Sequence, residues 1–320
     1  GHTANPRSND NCGPCCEGST MRILITGGTG FVGSFLSRYL LHRGHHVIAI
    51  GTRLRFTLDG GDRFTYVSAD TTVPGFWQNR VGEVDAVINL AGQNIFRYWT
   101  DSAKHRIYES RISTTQNVVM GMQKKQCPIL LSASAVGYYG DRGEVRLNES
   151  SSAGDDFLAG VSVDWEKEAL QAEALGTRVA LLRFSVILGK DGGALPRMLP
   201  AFKYFAGGPM GSGRQWFSWM HIQDLAAAME MILLKEDMQG PFNFCAPLPE
   251  RNHTFAKSLG KALGRPAFLK APAFAIRMIM GELGGVLLGS QRCVPQKLQQ
   301  HGFEFQYPVL KKALENLLNE

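Results

Sequence analysis

The stretch Ile23-Leu24-Ile25-Thr26-Gly27-Gly28-Thr29-Gly30-Phe31-Val32-Gly33 decides the fold. A short apolar run of strand character meets glycines at 27, 30 and 33. A helix-length segment follows to about residue 43, where Gly44 suits the left-handed C-cap position. Strand, glycine turn and helix start in this order have a physical reading. The glycines permit a tight turn, let the backbone approach a pyrophosphate, and allow the helix to pack closely on the strand. The helix start then offers unpaired N–H groups and a positive dipole end to phosphate oxygens. Gly27, Thr29, Gly30, Phe31, Val32 and Gly33 are therefore expected to form a dinucleotide-binding loop.

Outward from this loop, apolar runs of strand length at 22–26, 46–50, 64–67, 86–90, 129–132 and 179–184 alternate with helix-length segments. One such helix is expected at 163–175, ending before Gly176. Apolar strands separated by helices indicate a parallel sheet covered on both faces. The expected fold class is α/β, a Rossmann-type doubly wound parallel sheet over residues 21–189, completed by about 221–247 with a helix at 224–234 and a strand at 242–245. Residues 190–220, rich in Gly, Pro and aromatics, and the mostly helical 248–320 are expected to form a smaller, C-terminally weighted substrate lobe. Residues 1–20 are polar and rich in Gly, Pro and Asn, which predicts a disordered arm or cloning remnant.

The composition is that of an ordinary globular chain, with 44% apolar and 19% charged residues among 320. No apolar run reaches the ~18 residues of a membrane span, so no membrane partner is expected. The net charge of +6 invites an anionic partner. Yet Lys and Arg are scattered, no nucleic-acid-binding pattern occurs, and a phosphorylated cofactor accounts for the balance equally well. No nucleic acid is expected. Cys12, Cys15 and Cys16 cluster without a second metal-ligand pair, while Cys127, Cys245 and Cys293 stand apart. That pattern predicts no metal site, and free thiols suited to the cytoplasm or another reducing compartment.

The second strand ends in Ile50-Gly51-Thr52-Arg53-Leu54-Arg55. Sites that prefer NAD usually carry an acid here to bind the ribose 2′-hydroxyl. An acid would repel a 2′-phosphate, whereas a guanidinium grips it in a fork. The expected cofactor is NADP(H), with Arg53 on the phosphate and Thr52 assisting.

Three further motifs occur in order: Asn89-Leu90-Ala91-Gly92, Ser132-Ala133-Ser134, and Tyr139-Gly140. With the glycine loop they resemble the extended short-chain dehydrogenase/reductases, the group that includes nucleotide-sugar epimerases and dehydratases. Closer still is the resemblance to the atypical "epimerase family" group with a C-terminal extension domain. It is carried by Ser134-Ala135-Val136-Gly137-Tyr138-Tyr139-Gly140, Asp164-Trp165-Glu166, Gly208-Pro209-Met210-Gly211-Ser212-Gly213, Trp219-Met220-His221-Ile222, and Gly302-Phe303 with Tyr307-Pro308. The resemblance spans about 21–318. It implies that Asp70 sits near the adenine and that Leu90, Ala91 and Gly92 run along the cofactor.

In that family Ser/Thr, Tyr and Lys carry the chemistry, the tyrosine moving the proton and the lysine lowering its pKa. Ser134 fits the first role, polarising a substrate oxygen. The positions of Tyr and Lys hold Leu158 and Ser162, and neither moves protons at neutral pH. Tyr138 is the candidate to replace the missing acid. The arginine that binds the diphosphate in nucleotide-sugar enzymes falls on Phe217, and the run Trp216-Phe217-Ser218-Trp219 suits an apolar or ring-shaped ligand or the core. His221 is expected to support the fold through Asp224.

Two functions stay open at this point. One is an NADP(H)-dependent oxidoreductase or epimerase acting on a small carbonyl or hydroxyl compound by hydride transfer. The other is a non-catalytic NADP(H)-binding regulator or scaffold, with a protein partner or a homodimer, which the resembling group's association with cell or organelle division implies.

Overall fold

The computed structural model describes residues 19–125 and 127–319. Five parallel strands come first: β1 (Arg22–Thr26), β2 (His46–Gly51), β3 (Phe64–Ser68), β4 (Ala86–Asn89) and β5 (Ile129–Ala135). The strands Arg178–Phe184 and Gly240–Phe244 complete a seven-stranded sheet in the order Gly240–Phe244, Arg178–Phe184, β5, β4, β1, β2, β3. From β1 the chain moves toward β3, and from β4 it moves the other way. That reversal opens the crevice at the carboxyl ends of β1 and β4, where open α/β sheets take ligands.

The strands are apolar on both faces because helices cover both. In β1, Ile23 and Ile25 join Leu36 and Leu40 of helix α1 (Phe31–His42) in one buried cluster, while Leu24 joins Val118 and Met122 of α2 (Asp101–Lys124) in another. Alternate side chains of a strand point to opposite faces, so one continuous apolar run serves both layers. Burying each such side chain contributes roughly 1.5–3 kcal/mol.

The helix expected at 224–234 starts at Ile222 and the strand expected at 242–245 is Gly240–Phe244; two further differences bear on the site. The helix α3 (Phe157–Leu170) begins six residues before 163, because the Asp156 carboxylate accepts from Ala159 N at 2.8 Å and caps it there. A tighter turn, Gln171–Leu175, carries the chain on to Gly176, whose φ of 81° closes it in the left-handed conformation. Strand β5 runs three residues beyond 132, since its pairing continues through Ala133↔Leu182, Ser134↔Arg183 and Ala135↔Phe184. That extension draws Ser134 into the sheet.

After the sixth sheet strand come α4 (Leu195–Lys203) and α5 (Ile222–Leu234), then helices Asn252–Ala262, Ala273–Met280, Glu282–Leu288, Gln296–Gln300 and Leu310–Leu318. Short strand pairs, Trp216–Phe217 with Glu250–Arg251 and Arg146–Leu147 with Arg292–Cys293, tie this part together; the sequence pattern does not announce them. Its core gathers Trp219, Phe202, Phe255, Leu259 and Leu314. Among the described residues no helix is long and apolar enough to cross a membrane.

His221 is structural, through partners of its own. Its Nδ1 accepts from Gln223 N at 3.0 Å, which leaves Nε2–H to donate to Asn316 Oδ1 at 3.0 Å, and its ring stacks on Tyr307. Asp224 separately accepts from Gln306 N and Tyr307 N. Burial lowers the His221 pKa from 6.5 to about 4. The unfolded chain therefore binds the extra proton across that window and the fold does not. The stability His221 contributes is complete above pH 6.5 and is lost as pH falls toward 4. Denaturant midpoints measured from pH 7 to 4 are expected to fall more steeply for the native chain than for His221→Gln.

Candidate functional site

The glycine loop is shaped by contacts that leave no room for side chains. Gly27 has φ of +67°, and Gly30 N donates to Gly27 O at 3.0 Å to close the turn. A Cβ on Gly33 would stand 2.2 Å from Gly27 O, so only glycine lets α1 start this close to the loop. On one side Gly28 N donates to Ile50 O of β2. On the other, Thr26 Oγ1 donates to Asn89 Oδ1 and accepts from Leu90 N and Ala91 N. Loop, β2 end and Leu90-Ala91 thus form one bed across the crevice.

A cleft of about 510 Å³ opens beside this bed, with Thr29, Gly30 and Phe31 on one wall and Arg38, Arg53, Lys190 and Asp191 around it. Arg53 is exposed, and its main-chain oxygen accepts from Tyr66 Oη at 2.6 Å, which ties the stretch after β2 back to β3. The Phe31 ring packs against Gly189, Gly192 and Gly193, where any Cβ would meet it within 2.7 Å. Val32 is half-buried and packs on the core beneath. Thr52 is exposed next to Arg53, and Gly92 is exposed beyond Ala91. Asp70, two residues past β3, closes on its own turn, accepting from Thr72 N at 2.9 Å and Thr72 Oγ1 at 2.6 Å. Arg38 was not anticipated. Its signal lay in its spacing, four residues after Ser34 and seven after Phe31, which puts all three on one face of α1.

Ser134 is placed differently from its expected role. It is buried, and its hydroxyl donates to Glu166 Oε1 at 2.7 Å. Glu166 in turn holds Arg183 through two hydrogen bonds of 2.8 Å. Arg183 also donates to Tyr139 Oη at 3.0 Å, and Tyr139 donates to Asn243 Oδ1 at 2.6 Å. The Ser134 proton is therefore used inside the fold, not offered to a substrate carbonyl. The physical reason is the longer β5, whose register sets Ser134 beside Arg183 on the face that α3 covers. Burial pulls the Arg183 guanidinium down, but the hydrogen bonds and charge of Glu166 outweigh it and the net displacement is upward. Burial also pushes the Tyr139 phenol up.

The sequence model of the NAD dependent epimerase/dehydratase family matches residues 23–245. The chain belongs to this family. A domain of unknown function matches residues 271–317. An epimerase family protein of Staphylococcus saprophyticus is 41% identical over 299 residues, which is 92% of this chain and 99% of that one. One from Staphylococcus aureus is 38% identical over 303 residues, covering 93% and 99%. The crystal structure of a human epimerase family protein with NADPH superposes with a TM-score of 0.82 at 31% identity, covering 94% of this chain and all of that one.

Within the epimerase family fold, Leu158 and Ser162 occupy the positions at which the resemblance leads one to expect tyrosine and lysine. Leu158 packs its Cβ toward Gly137, and Ser162 is buried in α3. Tyr138 lies on the turn directly after β5, half-buried, with the Arg183 guanidinium 3.6 Å from its ring centre. Among the described residues its hydroxyl has no hydrogen-bond partner. In the sequence Glu166 stands out only as part of Asp164-Trp165-Glu166, and Arg183 not at all. The available signal was an arginine inside the apolar strand Arg178–Phe184, since a buried charge needs a partner.

Proposed function

We propose that this epimerase family chain binds NADP(H) along the glycine bed and transfers hydride between it and a small carbonyl or hydroxyl compound. The observation that carries the reading is the pair Arg38 and Arg53 in the cleft beside the phosphate loop, with no carboxylate at the end of β2. The loop fits a dinucleotide, because Gly30 caps α1 with no side-chain hydrogen bond, which leaves the N–H groups of the first helical turn to meet phosphate oxygens. Gly27–Gly33 would hold the pyrophosphate, Arg53 and Arg38 the 2′-phosphate with Thr52 beside them, and Leu90-Ala91-Gly92 the path toward the nicotinamide. The solved human relative with NADPH supports the choice of phosphorylated cofactor. When bound, the cofactor supplies or accepts the hydride.

The proton then needs a donor other than the family tyrosine. Tyr138 is that donor in this proposal, since Ser134 is engaged by Glu166 and Tyr138 leaves its hydroxyl open. General acid catalysis by one positioned group is worth about 10²–10⁴-fold. Assays of NADPH oxidation over a panel of carbonyl compounds are expected to find a substrate whose turnover drops about 100-fold in Tyr138→Phe, with NADPH affinity unchanged. The same engagement of Ser134, with Leu158 and Ser162 in place of tyrosine and lysine, favours a second reading: a non-catalytic NADP(H)-binding regulator. NADPH that raises the melting temperature but is consumed with no member of the panel would support that second reading.

A further inference from the structure

Arg111 on α2 carries a charge that the fold does not satisfy. Its Nη1 donates to Ile107 O one turn back, at 3.0 Å, and its guanidinium carbon lies 5.2 Å from the centre of the Trp165 ring. Among the described residues it has no other hydrogen bond and no carboxylate partner. An arginine offers five N–H donors, so most of its capacity is unspent. The side chain is part-buried, and loss of solvent pulls its pKa from 12.5 down to about 10, with no neighbouring charge opposing. A cation withdrawn from water without a counter-ion is destabilising.

Its position gives that cost a use. Gly92 is exposed, and a Cβ added to it would stand 3.1 Å from the Arg111 guanidinium carbon, so glycine leaves this group reachable. Ser110 Oγ accepts from Gln93 N at 3.0 Å, which fixes α2 to the segment after β4 and keeps Arg111 beside Gly92. Ala91 in turn abuts Gly27 of the phosphate loop, where a Cβ would stand 2.9 Å from Ala91 N. Contact is continuous from the phosphate loop through Ala91-Gly92 to the guanidinium.

We propose that Arg111 is an anion anchor at the far end of the glycine bed, taking an oxyanion of whatever ligand lies over Ala91-Gly92. The oxyanion is a phosphate oxygen of the dinucleotide or a carboxylate of the small substrate. Its assignment to the dinucleotide rests on the NADP(H) reading above; its assignment to the substrate does not. No catalytic step is assigned to Arg111.

The test uses the full chain with Arg111→Gln and Arg111→Lys. Calorimetric titrations employ NADPH and 2′,5′-ADP, which lacks the nicotinamide half, and malonate serves as the carboxylate probe. NADPH binding at least tenfold weaker in Arg111→Gln and largely restored in Arg111→Lys assigns the anchor to the dinucleotide, to its nicotinamide-side phosphate if 2′,5′-ADP is unchanged and to its adenosine-side phosphate if 2′,5′-ADP weakens as well. Unchanged NADPH affinity, together with a malonate-induced rise in melting temperature that Arg111→Gln abolishes, assigns it to the substrate. In either case unliganded Arg111→Gln melts no lower than the native chain, because an unpaired charge has been removed. Equal responses of Arg111→Gln and the native chain to both NADPH and malonate overturn the proposal, as does a melting point several degrees lower without ligand. If 2′,5′-ADP fails to bind the native chain, the NADP(H) reading falls by itself and the malonate arm still decides the role of Arg111.

Discussion

Arg53→Glu is expected to weaken NADPH binding by about 100- to 1,000-fold while leaving NADH within a few-fold of its native affinity. The exposed guanidinium stands beside the cleft that holds Thr29 and Gly30. Hydrogen bonds to a charged group contribute roughly 1.5–3 kcal/mol, about one to two factors of ten. Substituting a carboxylate replaces that attraction with like-charge repulsion of the 2′-phosphate, which costs more again. The NADH molecule has a hydroxyl in that place, and a carboxylate can accept from it. Arg53→Ala should fall between the two, because it removes attraction without adding repulsion. Parallel calorimetric titrations of both cofactors separate this from general damage, which would weaken both alike.

Glu166→Ala is expected to lower the stability of the fold by roughly 3–5 kcal/mol, the usual cost of leaving a buried charge without its partner. Glu166 and Arg183 are both nearly inaccessible, and Arg183 ties α3 to the turn after β5 and to the loop at Glu149 by reaching Glu166, Tyr139 and the main-chain oxygen of Glu149. The second change Arg183→Leu should restore part of the loss, because an apolar side chain needs no counter-ion. A guanidinium chloride midpoint that moves little in Glu166→Ala would show that water or a rearranged neighbour satisfies Arg183. Should the double variant be no better than the single, the cost lies in lost packing around Arg183 rather than in its charge.

The sheet was legible because its signals are local. Each strand is a run of apolar residues between turn residues, and the glycine loop admits few other conformations once Gly27 must take positive φ and Gly33 must pass Gly27 O. Helix starts were less legible. The cap of α3 depends on one carboxylate, Asp156, reaching one N–H, and the periodicity begins clearly only some residues later. Ser134 shows a different difficulty. A Ser-Ala-Ser motif after a strand reads as a presented hydroxyl, but which way the hydroxyl points depends on where the strand ends. Three further residues of pairing with Arg178–Phe184 turned it toward Glu166. Arg53 was readable as a chemical substitution for an expected acid. Arg38 and Arg111 were not, because each looks like a solvated helical residue until the tertiary contacts bring it beside the bed.

In the proposed function, Arg38 and Arg53, in the cleft with Thr29 and Gly30, recognise the 2′-phosphate. Titrating the native chain with NADPH and NADH under identical salt and pH tests it most directly. NADPH is expected to bind at least tenfold more tightly than NADH and to raise the melting temperature further at equal concentration. Equal dissociation constants for the two would contradict it.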